Sequence, residues 1–388
     1  TLAVAMTRTK ARRWAERVAT AAAMAAVIWF FHWTVRSSGG FGQPGEEDYY
    51  NFLVRGWREG HLYMSKEPRP EMHDLADPYD PAQNHAVRMG DASYFRGRYY
   101  LYFGAGPAAV LLWPYSLVTG KELGTTTAVF VFCSVGYLAA GGMWLAVRRR
   151  YFAESAPWIA PLGMLALGGG SHLLALLRRP LVWELPIAAA YAFAMLSLAA
   201  VYAALHGRRP VLAMAGAGLS LGLAVASRPT WIFGAVMLVP ALWTLRELPQ
   251  TRERWRRAAV SAAMGFGMCV VAVLAAGAYV VTMGGVITAY FLATPRYAAD
   301  FGPALTLVAL VGLLAVERWS IGRRTKDEGR RSAVGYAIRA MIAMGAVASI
   351  IAGVCLSFGY HDQLLRRLNP SQWEAAARWF GSGAGTGP

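Results

Sequence analysis

A chain of 388 residues that is 56% hydrophobic and only 15% charged is too apolar for a soluble domain and reads as a polytopic membrane protein, so counting domains by length does not apply. The formal charge of +16 would fit a nucleic-acid partner if the basic residues shared one soluble face, but they fall in clusters between apolar segments. They are topology signals, and no nucleic acid is expected.

The elements follow in chain order. Residues 1–17 form a basic, cytoplasmic amino-terminal segment with Met6 as a candidate start, and Val18 to Val35 is the first apolar span. It is Trp-rich and has no small-residue cleavage site, which makes it a retained anchor rather than a signal peptide. A spanning helix needs about 20 apolar residues. By that measure further spans are expected at Thr125 to Val147, Pro157 to Leu177, Leu181 to Leu205, Val211 to Ser227, Pro229 to Leu245, Ala258 to Met283, Phe301 to Val316 and Ala340 to Phe358. Tyr99 to Val118 is also apolar, but Gly104, Gly106, Pro107 and Pro114 interrupt it.

Whether Tyr99 to Val118 crosses decides the topology, because cytoplasmic loops collect Lys and Arg. If it rests at the outer face as an interfacial helix, the clusters Arg8 to Arg17, Arg148 to Arg150, Arg208 and Arg209, Arg246 to Arg257 and Arg318 to Arg339 all lie inside. They hold more than half of the 38 basic residues. The expectation is therefore an all-α membrane domain over residues 18–358, with about nine spans, the amino terminus inside and an outer loop over 37–123. Residues 359–388 then form an outer-face tail, amphipathic over Asp362 to Phe380 and low in complexity at GSGAGTGP.

The outer loop carries half of the 22 acidic residues, beside a membrane. Glu46, Glu47 and Asp48 lie close after the first span, and adjacent carboxylates at a low-dielectric boundary raise each other's pKa toward the range of a general base. The same cluster also suits the amino terminus of a helix starting around Tyr49. Asp74, Asp77, Asp80 and Asp91 with His61, His73 and His85 make a divalent cation, Mg or Mn, a candidate cofactor ahead of zinc, though Asp77 and Asp80 beside prolines are also ordinary turn residues. Cys133, Cys269 and Cys355 sit in apolar runs without metal or disulfide spacing.

Four arginines fall at the outer ends of spans on this topology: Arg178, Arg179, Arg228 and Arg296. A guanidinium near hydrocarbon is costly unless paired, and its fork matches phosphate oxygens, so together they could hold a lipid phosphate. Snorkelling and pairing with Glu184 or Asp300 account for each one equally well. Aromatic residues crowd the same places, among them Tyr50 and Tyr100, and serve an interfacial belt or stack on sugars.

At these residues the chain resembles the GT-C superfamily of membrane glycosyltransferases that use polyprenyl-phosphate sugars, in the style of protein mannosyltransferases and lipid A aminoarabinose transferases. The likeness rests on the first span followed by Glu46-Glu47-Asp48-Tyr49-Tyr50, the Pro-containing interfacial helix ending in Leu117-Val118-Thr119-Gly120, the Ser227-Arg228-Pro229-Thr230 turn, and Pro295-Arg296-Tyr297 through Phe301. The resemblance implies sugar transfer from a polyprenyl-phosphate donor to a hydroxyl of a glycan, lipid or protein acceptor, with inversion, at the outer face of a bacterial inner membrane. It implies one of Glu46, Glu47 and Asp48 as base, the four arginines as phosphate ligands, and Tyr50, Asp91, Tyr100 and Glu184 in support. A transporter or flippase for a lipid-linked sugar, or a noncatalytic relative, would share the arginines and aromatics, but a transporter usually places its polar groups at the bilayer midplane.

Overall fold

The computed structural model describes residues 2–42 and 48–247, with scattered helical positions from 253 to 351. Glu46, Glu47, Arg296, the loop 284–300 and the tail 359–388 lie outside the described residues, as does most of the three last expected spans.

The described chain is mostly helical. Helix α1 (Leu2–Ser37) is followed by α2 (Tyr49–Arg58), the short α3 (Pro81–Asn84), a hairpin of β1 (Ala92–Phe95) and β2 (Arg98–Leu101), and α4 (Trp113–Thr119). Then come α5 (Thr125–Tyr151), α6 (Ile159–Gly169), α7 (Leu173–Arg178), α8 (Glu184–His206), α9 (Pro210–Ser227) and α10 (Val239–Glu247). Among the described residues four helical segments are long and apolar enough to cross a bilayer: Ala11–Ser37, Thr125–Tyr151, Glu184–His206 and Pro210–Ser227. At 1.5 Å per residue the shortest, 18 residues, reaches about 27 Å, close to the roughly 30 Å of a hydrocarbon core.

Three expectations are corrected. The all-α reading omitted the hairpin, which pairs Phe95 with Arg98 across Arg96-Gly97. Both turn residues have positive φ, 50° and 76°, the requirement of a two-residue hairpin turn whose twist matches the strands, and glycine meets it without a Cβ clash. The expected continuous span Pro157 to Leu177 is broken into α6 and α7 at Gly170-Ser171-His172, where the Ser171 hydroxyl donates back to the Leu167 carbonyl at 2.8 Å. The segment Pro229 to Leu245 opens as a 3-10 stretch (Pro229–Leu238) before continuing as α10.

Tyr99 to Val118 holds no long helix. After β2, a π-helical turn (Ala108–Leu112) leads into α4, and the combined apolar helix Ala108–Thr119 is about 18 Å long, too short to cross alone. Gly120, with φ 70°, ends it as a left-handed cap.

The chain divides into two compact units, one of Thr1–Gly40, Cys133–Arg179 and Thr294–Pro388, the other of Phe41–Phe132 and Pro180–Ala293. In the first, α1 packs on α6 and α7, and α5 is tied to α6 by the Trp144 indole N–H to the Ala160 carbonyl (3.2 Å) and the Tyr137 hydroxyl to the Met164 carbonyl (3.3 Å). Arg148, buried near the end of α5, donates to Glu16 on α1, to the Ser155 hydroxyl (2.9 Å) and to the Ala156 carbonyl (3.2 Å), so the charge is compensated where it is desolvated. In the second, α8 and α9 pack face to face around Val201, Ala204, Met214, Ala217 and Leu221, and the buried Ser197 hydroxyl donates to the Ala217 carbonyl at 2.8 Å.

Candidate active site

Helix α2 begins where the acidic cluster ends. Asp48 is its N-cap, with extended backbone (φ −90°, ψ 91°), and Oδ1 accepts the Asn51 backbone N–H at 3.3 Å, satisfying one of the donors a helix start leaves open. The apolar side of α2 is buried through Tyr50, Phe52, Leu53 and Val54, while Arg55 and Arg58 sit in its last turn, where cations complement the helix dipole.

Three contacts hold α2 to the segment that leads into α5. The Arg55 Nε and Nη2 donate to the two Glu122 oxygens at 2.5 and 2.8 Å, the Asn51 amide donates to the Leu123 carbonyl at 2.9 Å, and the Thr125 hydroxyl lies 3.1 Å from both oxygens of Asp48. Asp48 is consequently 8% exposed. Burial holds its carboxyl above the usual carboxylate range, against the Asn51 and Thr125 hydrogen bonds that pull it down. The carboxylate therefore has both the structural duty of a cap and the raised proton affinity of a base.

Tyr50, two residues on, is fully buried, and its hydroxyl donates to the Gly104 carbonyl at 3.2 Å. Burial holds the phenol well above its ordinary value, the Arg228 charge draws it partly back, and the Asp48 carboxylate adds to the rise. Tyr50 thus stays neutral and within the fields of both groups.

Gly104 and Gly106 explain how the first loop reaches Arg228. A Cβ on Gly104 would fall 2.2 Å from the Ala226 carbonyl oxygen, and one on Gly106 would fall 2.3 Å from the Ser227 hydroxyl, so the loop backbone lies directly on the carboxyl-terminal end of α9. Arg228, half-buried, is the next residue. Its backbone N–H closes α9 on the Ala224 carbonyl and its own carbonyl accepts from Trp231, which fixes the turn into Pro229. Arg228, distant in sequence, is brought into one neighbourhood of the second unit with Asp48 and Tyr50.

The other expected site residues take different places. Arg178 is buried at the end of α7 and Arg179 is half-buried beside it, both in the first unit. Glu184 is buried in the first turn of α8, next to Trp183, whose ring meets Phe103 at 5.9 Å. Asp91 is exposed, with φ 53°, at the entry to β1. Tyr100 is half-buried on β2 and meets Tyr63 and Phe95 edge-on. Asp77 and Asp80 accept from the backbone of Tyr79 and Ala82, as turn residues do, and among the described residues no three His, Cys, Asp or Glu side chains gather to hold a metal ion.

Sequence reasoning missed Thr125, Asn51, Glu122 and the two glycines. No family model, curated protein or solved structure gives a significant match to the chain.

Proposed function

We propose that the protein is a membrane glycosyltransferase that moves a sugar from a polyprenyl-phosphate donor to an acceptor hydroxyl. The observation that carries this reading is the shared neighbourhood of Asp48, Tyr50 and Arg228: a desolvated carboxylate with raised proton affinity and a guanidinium, both acting on one buried phenol. The likeness of these segments to GT-C enzymes supports the assignment of roles.

In this reaction the acceptor O–H breaks and its proton passes to Asp48 while the acceptor oxygen attacks the sugar's anomeric carbon. The bond from that carbon to the phosphate oxygen breaks, and the polyprenyl phosphate leaves with the electron pair. Arg228 faces the growing phosphate charge, an interaction stronger in the transition state than in the ground state. A single displacement inverts the anomeric centre. Glu46 and Glu47 keep their proposed role as alternative bases beside Asp48. A Mg or Mn ion would belong with the leaving phosphate. The site belongs, on this reading, at the outer face of a bacterial inner membrane, with the amino terminus in the cytoplasm.

The capping geometry of Asp48 favours a second reading, a noncatalytic relative in which the carboxylate only secures α2. One experiment separates them. The purified chain in lipid nanodiscs is given a panel of polyprenyl-phosphate sugars with hydroxyl acceptors, alongside Asp48→Asn and Arg228→Leu. Asp48→Asn should lose roughly a hundredfold or more in turnover with donor affinity retained. Arg228→Leu should weaken donor binding by about tenfold or more, the loss of a charged hydrogen bond. Transfer by Asp48→Asn at the parental rate, or no transfer by the parent from any donor, refutes the assignment.

A further inference from the structure

Asp48 stands at the amino terminus of two helices. It caps α2, and its carboxylate meets the hydroxyl of Thr125, the first residue of α5. Both helix ends present positive dipole charge, which favours an ionised carboxylate where burial opposes it. Oδ1 receives the Asn51 N–H, and the Thr125 hydroxyl lies 3.1 Å from both oxygens. The Asn51 side chain and the Thr125 backbone N–H add to the hydrogen bonding of the carboxylate. A carboxylate offers about four lone-pair sites, so it can accept all of these.

On the transfer reaction proposed above, we infer that Thr125 is a positioning residue: its hydroxyl, within reach of both oxygens, fixes the direction in which the Asp48 carboxylate meets the acceptor's proton. The β-branched side chain is suited to this, because a restricted χ1 holds the hydroxyl in one direction. The arrangement also keeps Asp48 a carboxylate when it is needed as a base, since a hydrogen bond donated to the charged form lowers its proton affinity. The charged groups around it are held by other partners and reach it through their fields. Arg55 is on the same helix but is engaged fork to fork with Glu122, Tyr50 is neutral, and Arg228 acts on the Tyr50 phenol from the end of α9.

The segment Glu122 to Thr125 thus does two things at once. It anchors α2 through Arg55 and Asn51, and it sets the orientation of the proposed base through Thr125. Loss of the hydroxyl should leave the anchor in place and change only the base.

The test is a titration of Asp48 in the purified full chain, followed through the infrared carboxyl band that disappears in Asp48→Asn. Thr125→Val and Thr125→Ala should raise the midpoint by about one pH unit, and Thr125→Ser should return it toward the parent. The acid limb of the transfer rate should move upward by the same amount in the same variants. An unchanged midpoint in folded Thr125→Val and Thr125→Ala overturns the inference whether or not the chain transfers sugar. A shifted midpoint together with parental transfer by Asp48→Asn overturns the catalytic role of the pair and leaves Thr125 a capping partner, so failure of the clasp and failure of the transferase reading give different results.

Discussion

Replacing Gly104 by Ala tests whether the first loop must lie on the end of α9. The new Cβ would sit 2.2 Å from the Ala226 carbonyl oxygen, 2.5 Å from that of Ser227 and 2.7 Å from the Ser227 carbonyl carbon. All three are backbone atoms, so no side chain can rotate away, and the loop must lift by about an ångström to restore ordinary contact near 3.5 Å. Overpacking of this kind costs about 1 to 3 kcal/mol, and the displaced Gly104 carbonyl also loses the Tyr50 hydroxyl, a further 0.5 to 1.5 kcal/mol or so. The expected loss is thus about 2 to 4 kcal/mol, read as a lower thermal midpoint in nanodiscs, with weaker donor binding because Tyr50 and Arg228 no longer keep their register. Gly216→Ala is the control: its Cβ has nothing within 4 Å, and alanine is the better helix former. Parental stability and donor affinity in Gly104→Ala would refute the close approach.

Two further outcomes are expected. Because burial raises the folded-state pKa of Asp48 above its unfolded value, the folded chain binds that proton more tightly; stability from this group falls as pH rises through the two values, and the thermal midpoint of Asp48→Asn relative to the parent should therefore increase with pH across the acid range. A difference that stays flat across that range would contradict the raised value. In a background without the native cysteines, a cysteine at Ala86 should react with a membrane-impermeant thiol reagent in intact cells, while cysteines at Glu154 and Arg208, exposed ends of the basic clusters, should not; labelling of all three would exclude the proposed topology.

The parts legible in the sequence were those governed by local pattern. Hydropathy located the four long helices, because a span is a property of consecutive residues. The start of α2 at Tyr49 was legible too, since a capping carboxylate ahead of an amphipathic run is a short-range signal. Hydropathy could not separate α6 from α7, because Gly170 and Ser171 end a helix by backbone freedom and side-chain competition without lowering the apolar average much. The hairpin had a signal, Arg96-Gly97 between aromatic runs, but its second strand merges into the apolar stretch from Tyr99. The Thr125 contact had none: 77 residues separate it from Asp48, and nothing about a threonine opening a span announces a distant carboxylate. Likewise Gly104 and Gly106 read as helix breakers, whereas their role is to admit another backbone.

The Arg148 cluster sets a boundary on how far the amino terminus can be trimmed. Its guanidinium is satisfied jointly by Glu16, Ser155 and Ala156, so the acid on α1 is the counter-charge for a side chain that is otherwise enclosed. Chains shortened to begin before Glu16 retain that counter-charge, though the cut also removes part of the Arg8 to Arg17 cluster expected to hold the amino terminus inside. Chains shortened past Glu16 keep most of the apolar span yet strand an arginine in a low-dielectric setting, a defect of about 3 to 5 kcal/mol. The useful cut for producing the protein is accordingly marked by a single carboxylate, two residues ahead of Val18.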